Sequence, residues 1–521
     1  MTQIRALLVA LTCTLWPVGI ALADSIDFSN PPQGRFLDEW AVVYMAGGKV
    51  GYMHSTMSRD GDLIHANTTT KMKLGRVDQP VELGIVQTTT ETLAGVPITF
   101  NSQMDASLMK TARKGEVKGG RVTIVSSQYG MEQTQTFDYP NGALMTWGMF
   151  RESLLRGFEP GTQYTLKTYI PDIRLDDAVN MVTKIGEWED FEHADKRLRG
   201  RKTTVIIESP IGSIESISWV DKDGRPLKAM IPAPGLGDMV LFTTDQKTAL
   251  ADFVPPEVFM QTVVKAKKRI DPKSTARIKY RIRTTSPDVD LSTLPSTDMQ
   301  TVGKQTDHSV EVAITRQHHK AREPRPKAHA DLPTPRKLQP DELAEYLDPN
   351  LMINTDDPKL IALAKRAGGG EADPYVLADK LRRFVTDYVE SKTLNVGFAT
   401  ASEVCRTKEG DCSEHGVLLA ALGRLNGLPS RVVVGLAYVP VFGDRDDIFG
   451  YHLWTQFYID GRWIDVDAAL RETVCSPTRI VFATSSLKNT GLADLSLPLL
   501  SKIGAIDIDI LQVEKTADGG D

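Results

Sequence analysis

Asp460-Gly461 leaves this 521-residue chain fewer ways to fold than any other pair of residues in it. The dipeptide separates Leu453-Trp-Thr-Gln-Phe-Tyr-Ile459 from Arg462-Trp-Ile-Asp-Val-Asp467. Asp-Gly between two runs of aromatic and β-branched residues signals a hairpin with a two-residue turn. The turn sets the register: Ile459 opposes Arg462, Gln456 opposes Asp465 and Trp454 opposes Asp467. Side chains alternate along a strand, so His452, Trp454 and Gln456 share a face with Asp465 and Asp467. His452 is then the diagonal neighbour of Asp467, about 7–8 Å away and within side-chain reach, and Asp465 lies one pair further along. The register selects Asp467 as the carboxylate for this imidazole.

A thiol precedes the hairpin. Gly410-Asp-Cys-Ser-Glu-His415 opens a run in which Val417, Leu418, Leu419, Leu422 and Leu425 continue at helical spacing to Asn426-Gly427, a C-terminal stop. Cys412 is expected in the first turn of a buried helix. There the backbone N–H groups and the helix dipole stabilise a thiolate, and the same N–H groups can help bind a developing oxyanion. A lone cysteine at a helix start is more often a small buried residue. An imidazole and a carboxylate on one downstream hairpin turn the reading toward an activated nucleophile. Glu414 and His415 are rival partners. His415 lies three residues from Cys412 on the same helix, but no carboxylate is evidently placed to orient it, so it is expected beside the site rather than in it.

Cys412 within Gly410-Asp-Cys-Ser-Glu-His, the helix running to Gly427-Leu-Pro-Ser-Arg431 before Val432-Val-Val434, Tyr451-His-Leu-Trp454 and Gly461-Arg-Trp-Ile-Asp-Val-Asp467 come in that order. Together, over about Pro340 to Thr490, they resemble the transglutaminase-like superfamily, in the manner of its bacterial-type secreted members. This is a papain-related fold with the order Cys, His, Asp. The resemblance implies Cys412 as nucleophile, His452 as base and acid, Asp467 as the residue that orients the imidazole, and an acyl-enzyme formed on an amide; nothing in the sequence argues for a catalytic metal, and no cofactor is expected. Many members are hydrolases, so hydrolysis is the expected outcome. Protein cross-linking is one alternative, and a non-catalytic binding or assembly module is another. Cys405 and Cys475 are not part of the pattern and are expected either as a disulfide bracing the site or as two small buried residues.

Before this region the chain reads differently. Met1 to Ala23 has one early positive charge, an apolar run and an Ala21-Leu-Ala23 end, the form of a cleaved secretory signal peptide. No later stretch reaches the roughly 18 apolar residues of a membrane span, so a periplasmic or secreted protein is expected. Cys13 leaves with the signal, and three cysteines in a disulfide-forming compartment leave an odd thiol, assigned to Cys412. Residues 24–252 alternate short β-favouring runs with turns, interrupted by a helix-compatible piece from Met145 to Gly157, and read as a β-rich domain of unknown role. Residues 263–316 read as a small β module, in which Arg277, Lys279, Arg281 and Arg283 share a face. That face is read as a solvated strand surface in preference to a site for an acidic polymer. Residues 317–339 carry Pro324, Pro326, Pro333 and Pro335 among dense positive charge and read as a linker. The segments 340–490 and 491–521 are a catalytic domain and a C-terminal tail.

The class expected is α+β: a papain-like, transglutaminase-like C-terminal domain after a large antiparallel β region. A formal charge of −6 gives no reason to expect nucleic acid or an anionic membrane as partner. A protein or peptide substrate is expected, cell-envelope peptides among the candidates. No metal-ligand spacing stands out. His54, His65 and His193 are isolated and read as surface or packing residues, and Asp444-Arg-Asp-Asp447 reads as a solvated loop.

Overall fold

The computed structural model describes residues 27–516 apart from 76–79, 107–108, 129–130, 194–195, 210–211, 223, 233–236, 259–261, 286–288, 318–336, 392–398, 489–501 and 503. The stretch read as a signal peptide and most of the stretch read as a linker lie outside the described residues. The chain divides into two compact units, 1–258 and 259–521.

Among the described residues of the first unit, fourteen strands form one sheet. Eight run as a meander from Gly34–Met45 to Met131–Asp138, and six more run from Gln163–Thr168 to Met239–Thr244. The last of these returns to pair antiparallel with Gly34–Met45, Val42 opposite Phe242. Between the meanders the expected helix forms at Thr146–Arg156 and ends at Gly157, whose φ of 78° suits glycine. Met145 offers this helix no side-chain cap. The buried Glu91 does so instead, its carboxylate accepting from the N–H groups of Trp147 at 2.6 Å and Gly148 at 2.9 Å. The isolated histidines take packing roles: His54 stacks on Trp40 and bonds Asp38, His65 bonds Thr90, and His193 stacks on Phe242.

Among the described residues of the second unit there are two antiparallel sheets. One has the order Val264–Lys265, Arg445–Ile459, Ser430–Phe442, Arg479–Ser485, with Arg462–Val466 also paired to Arg445–Ile459. The other has the order Gln300–Thr306, Ser309–Thr315, Thr275–Thr284, Ile506–Lys515. Ile278, Tyr280 and Ile282 from the second sheet share one apolar core with Leu436, Phe449 and Phe482 from the first. The stretch 263–316, read in sequence as a small module, thus shares an apolar core with the first of these sheets. The stretch read as a tail likewise supplies a strand, because Ile506, Ile508 and Ile510 point inward while Asp507 and Asp509 alternate with them. The basic face of Thr275–Thr284 is charge-compensated: Lys279 and Arg281 each reach Glu311 at 2.7 Å, and Arg283 reaches Asp507 at 2.9 Å.

Three of this unit's helices, Pro340–Leu347, Pro358–Gly368 and Pro374–Tyr388, begin with proline, which lacks only an N–H that the first turn would leave unbonded. In Pro374–Tyr388, Leu377, Leu381 and Val385 are buried on one face. Phe384 and Tyr388 are half-buried and stacked on each other, with the Arg366 guanidinium 5.2 Å from the Phe384 ring centre. Arg382 is also buried, where it bonds Asp379 and the Thr473 hydroxyl, both at 3.0 Å.

The first unit's buried carboxyls predict a pH dependence. Burial pushes Glu39 up to about 8, against the pull of Arg225, and pushes Glu91 up to about 7, against its hydrogen bonds. The folded state thus holds protons that the unfolded chain releases above about 4.3. This contribution is full below that value and is lost as pH rises through the two folded values. Hydrogen-exchange protection of the strand amides in the full chain should fall between pH 5 and 8, and Glu39→Gln should flatten the fall.

Candidate active site

The hairpin has the register that its turn dictates. Asp460 and Gly461 take φ of 51° and 80°, Ile459 pairs with Arg462, and Gln456 pairs with Asp465. Strand pairing stops at Thr455 and Val466, so Asp467 is the first residue of a loop. That loop closes on itself: the N–H of Asp467 donates to the carbonyl of Glu472, and the N–H of Glu472 to that of Asp467, both at 2.8 Å.

The two acids on the face have separate partners. Asp467 Oδ2 lies 2.7 Å from His452 Nε2, and Asp467 Oδ1 accepts from the N–H of Leu470 at 2.9 Å. Asp465 accepts from the indole N–H of Trp454 and from the amide of Gln456. Burial acts to raise both carboxyls. For Asp465 it prevails over Trp454, Arg479 and Gln456, and the group is pushed up to about 6. For Asp467 the charge and hydrogen bond of His452, with Arg479 and the Leu470 N–H, prevail over burial and hold the carboxyl well below its ordinary range. A buried acid held as an anion on His452 Nε2 fixes the ring and leaves Nδ1 to face another group.

Cys412 is the first residue of the helix Cys412–Leu425, which stops at Asn426 as expected. Asp411 caps it, and Glu414 completes a capping box. The cap occupies the N–H groups of Ser413 and Glu414, so the amides open to an oxyanion are not these two. Glu414 is fully buried and accepts from the N–H groups of Ala399 and Asp411, each at 2.9 Å. Burial and the nearby Asp411 push it well above the ordinary range, against those two bonds. It is a structural cap, and His415 likewise turns inward, its Nδ1 2.7 Å from the carbonyl of Asp411. Gly410 makes the cap possible: its φ is 149°, and a Cβ there would meet Glu414 Cβ at 2.2 Å.

The helix packs directly on the strand that carries His452. Thr455 Oγ1 donates to the carbonyl of Gly416 at 2.9 Å, and a Cβ on Gly416 would lie 2.3 Å from Leu453 Cδ2. Gly416 is about one helical turn from Cys412, and Leu453 follows His452, so this close approach brings the thiol's end of the helix to the imidazole's part of the strand.

Cys405, Cys412 and Cys475 are all thiols, so the disulfide expected between Cys405 and Cys475 is not formed. Burial raises the thiols of both Cys405 and Cys475, the latter strongly. Cys475 packs instead beside Arg479, the functional-looking residue that sequence reasoning missed. Arg479 reaches Asp467 Oδ2 at 3.1 Å and also bonds Glu472. It lies twelve residues past Asp467 in a run with no motif, and only the fold brings it back. Among the described residues no group of three or more His, Cys, Asp or Glu is arranged to hold a metal ion, and no helix is long and apolar enough to cross a membrane.

The helix that begins at Cys412 packs on the strand that carries His452, and the loop that follows the hairpin brings Asp467 to that imidazole. Residues 361–468 match the family model of the transglutaminase-like superfamily, so this part of the chain is similar to that family. No curated protein shows significant similarity to the chain. Among solved structures, a provisionally assigned cysteine protease from Cytophaga hutchinsonii is 17% identical, covering 47% of this chain and 90% of its own at a TM-score of 0.29. A β-barrel-like protein of a domain of unknown function from Brucella abortus is 12% identical, covering 40% and 99% at 0.30. A provisionally assigned protease from Parabacteroides distasonis is 12% identical, covering 78% and 68% at 0.20. Scores of this size do not establish a shared arrangement.

Gly410→Ala should lower the stability of the second unit by more than about 2 kcal/mol, through both backbone strain and the clash with Glu414. Urea unfolding of the full chain checks this.

Proposed function

We propose that the chain is an exported cysteine enzyme that cleaves amide or isopeptide bonds through an acyl-enzyme on Cys412. The observation that carries this reading is the 2.7 Å bond between His452 Nε2 and Asp467 Oδ2, in a region similar to the transglutaminase-like superfamily whose cysteine-bearing helix packs on the same strand. Cys412 Sγ, as thiolate, attacks the amide carbon. The oxyanion collapses, the C–N bond breaks, and the His452 imidazolium gives its proton to the departing amine. Water then attacks the thioester while His452 takes its proton, releasing a carboxylic acid and restoring the thiolate–imidazolium pair. Asp467 keeps the ring in one tautomer and stabilises its charged form. The half-buried Cys412 is the thiol suited to this role, since burial suppresses ionisation of the other two. Cell-envelope peptides are the substrates proposed, in keeping with the signal peptide read at the N-terminus.

Incubating the full chain with an envelope extract should give an acyl adduct on Cys412, detectable by mass spectrometry and absent in Cys412→Ala. In water enriched in 18O the released acid should carry the label. A labelled primary amine incorporated in its place would make the protein a cross-linker. Asp467→Asn should lower kcat by about 10^3–10^4-fold, whereas Asp465→Asn should lower it far less. Equal losses in the two variants would undo the assignment of Asp467.

A further inference from the structure

Arg479 is 1% exposed, lies over the Trp454 ring at 5.0 Å from its centre, and has an Nε–H without a hydrogen bond among the described residues. A cation taken out of water at this cost persists only where close counter-charges hold it. The counter-charges are the two ends of one loop. Nη1 donates to Asp467 Oδ2 at 3.1 Å and Nη2 donates to Glu472 Oε2. The guanidinium therefore straps the loop that delivers the acid, and it bonds the same carboxylate oxygen that His452 uses at 2.7 Å.

Resting on the reading of Cys412 and His452 as a reacting pair, we infer that Arg479 is a positioning residue that sets the pH range in which this pair is charged, by sharing Asp467 Oδ2 with the imidazole. A carboxylate beside a histidine favours imidazolium. A guanidinium on the same oxygen takes back part of that preference and favours thiolate. Glu472 in turn offsets part of the guanidinium charge.

The other charged or titratable groups around the pair are Asp465 on the adjoining strand, Cys475 before Arg479, Arg316 interacting with Glu472 and Arg479, and Asp411, Glu414 and His415 around Cys412. Asp467 Oδ2 itself is bonded by His452 and Arg479. The two substitutions that change the strap should therefore act with opposite signs. Loss of the Arg479 charge disfavours thiolate and favours imidazolium, raising both apparent pKa values. Loss of the Glu472 charge leaves Arg479 less compensated and lowers both. A strap that acted only as scaffolding would behave otherwise: Asp467 would drift from His452, imidazolium would lose support, and the upper value would fall in Arg479→Met.

The test is the rate of iodoacetamide alkylation of Cys412 against pH, resolved from Cys405 and Cys475 by peptide mass spectrometry, on the full chain. In Arg479→Met both inflections should move up by on the order of half a pH unit, in Glu472→Gln they should move down, and Arg479→Lys should keep the wild-type inflections. Unmoved inflections, or movement in one direction in both charge variants, overturn the inference while leaving the nucleophile in place. If Arg479→Met does not fold, the sign in Glu472→Gln decides. Wild-type Cys412 reacting at every pH no faster than a simple thiol removes the nucleophile reading, and the inference with it.

Discussion

One buried carboxylate oxygen, Asp467 Oδ2, takes both the imidazole of His452 and the guanidinium of Arg479. A charged carboxyl almost without exposure is tolerated only if its bonds replace those it had to water, and much of the second unit's polar structure serves that requirement. The loop from Asp467 to Glu472 is closed by its own pair of backbone bonds. The helix Pro374–Tyr388 grips the loop's flanks, with Thr386 Oγ1 donating to the carbonyl of Ala468 at 2.7 Å and Arg382 reaching Thr473 at 3.0 Å. Arg479 closes the remaining side. The carboxylate is thus placed by three separated stretches of chain, each ending in a hydrogen bond to the loop or to the acid itself.

What the sequence makes legible and what it hides follow from the range of the interactions. The hairpin register is local: a turn with two positive φ values and alternating side chains suffices to put His452 and Asp467 on one face. The helix of Cys412 is equally local, set by Asp411 before it and Asn426 after it. Arg479 and Arg382 are different, since a buried arginine looks in sequence like any solvated one until its counter-charges are folded around it. Gln300 is a further case. Its side-chain amide bonds both the N–H and the carbonyl of Val481, at 2.8 and 3.0 Å, as a strand neighbour would. No periodicity announces a glutamine that completes a sheet edge 181 residues away.

The cysteines show the same limit from the other side. Counting thiols in an oxidising compartment favours a bridge, but whether two of three can meet depends on distances that the chain order does not contain. In the structure Cys475 is buried beside Arg479 and Cys405 lies against the Tyr388 hydroxyl, so each is accounted for by packing. The strand-rich character of the first unit was likewise plain from alternation and turns. The pairing of its first strand with its last was not, because neither strand carries a mark of its partner.

That closing pair has a consequence for how the first unit comes to be folded. Trp40 lies opposite Thr244, so the strand nearest the N-terminus waits for about two hundred further residues before its second edge is covered. Chain closure over such a span is slow compared with the formation of hairpins, and until it happens Val42 and Val43, among the least exposed residues of the finished sheet, border a bare row of backbone donors and acceptors. During synthesis from the N-terminus, this first strand is open to pairing with the wrong chain until then. The time from its emergence to the arrival of Met239–Thr244 is the interval in which a holding chaperone would matter most.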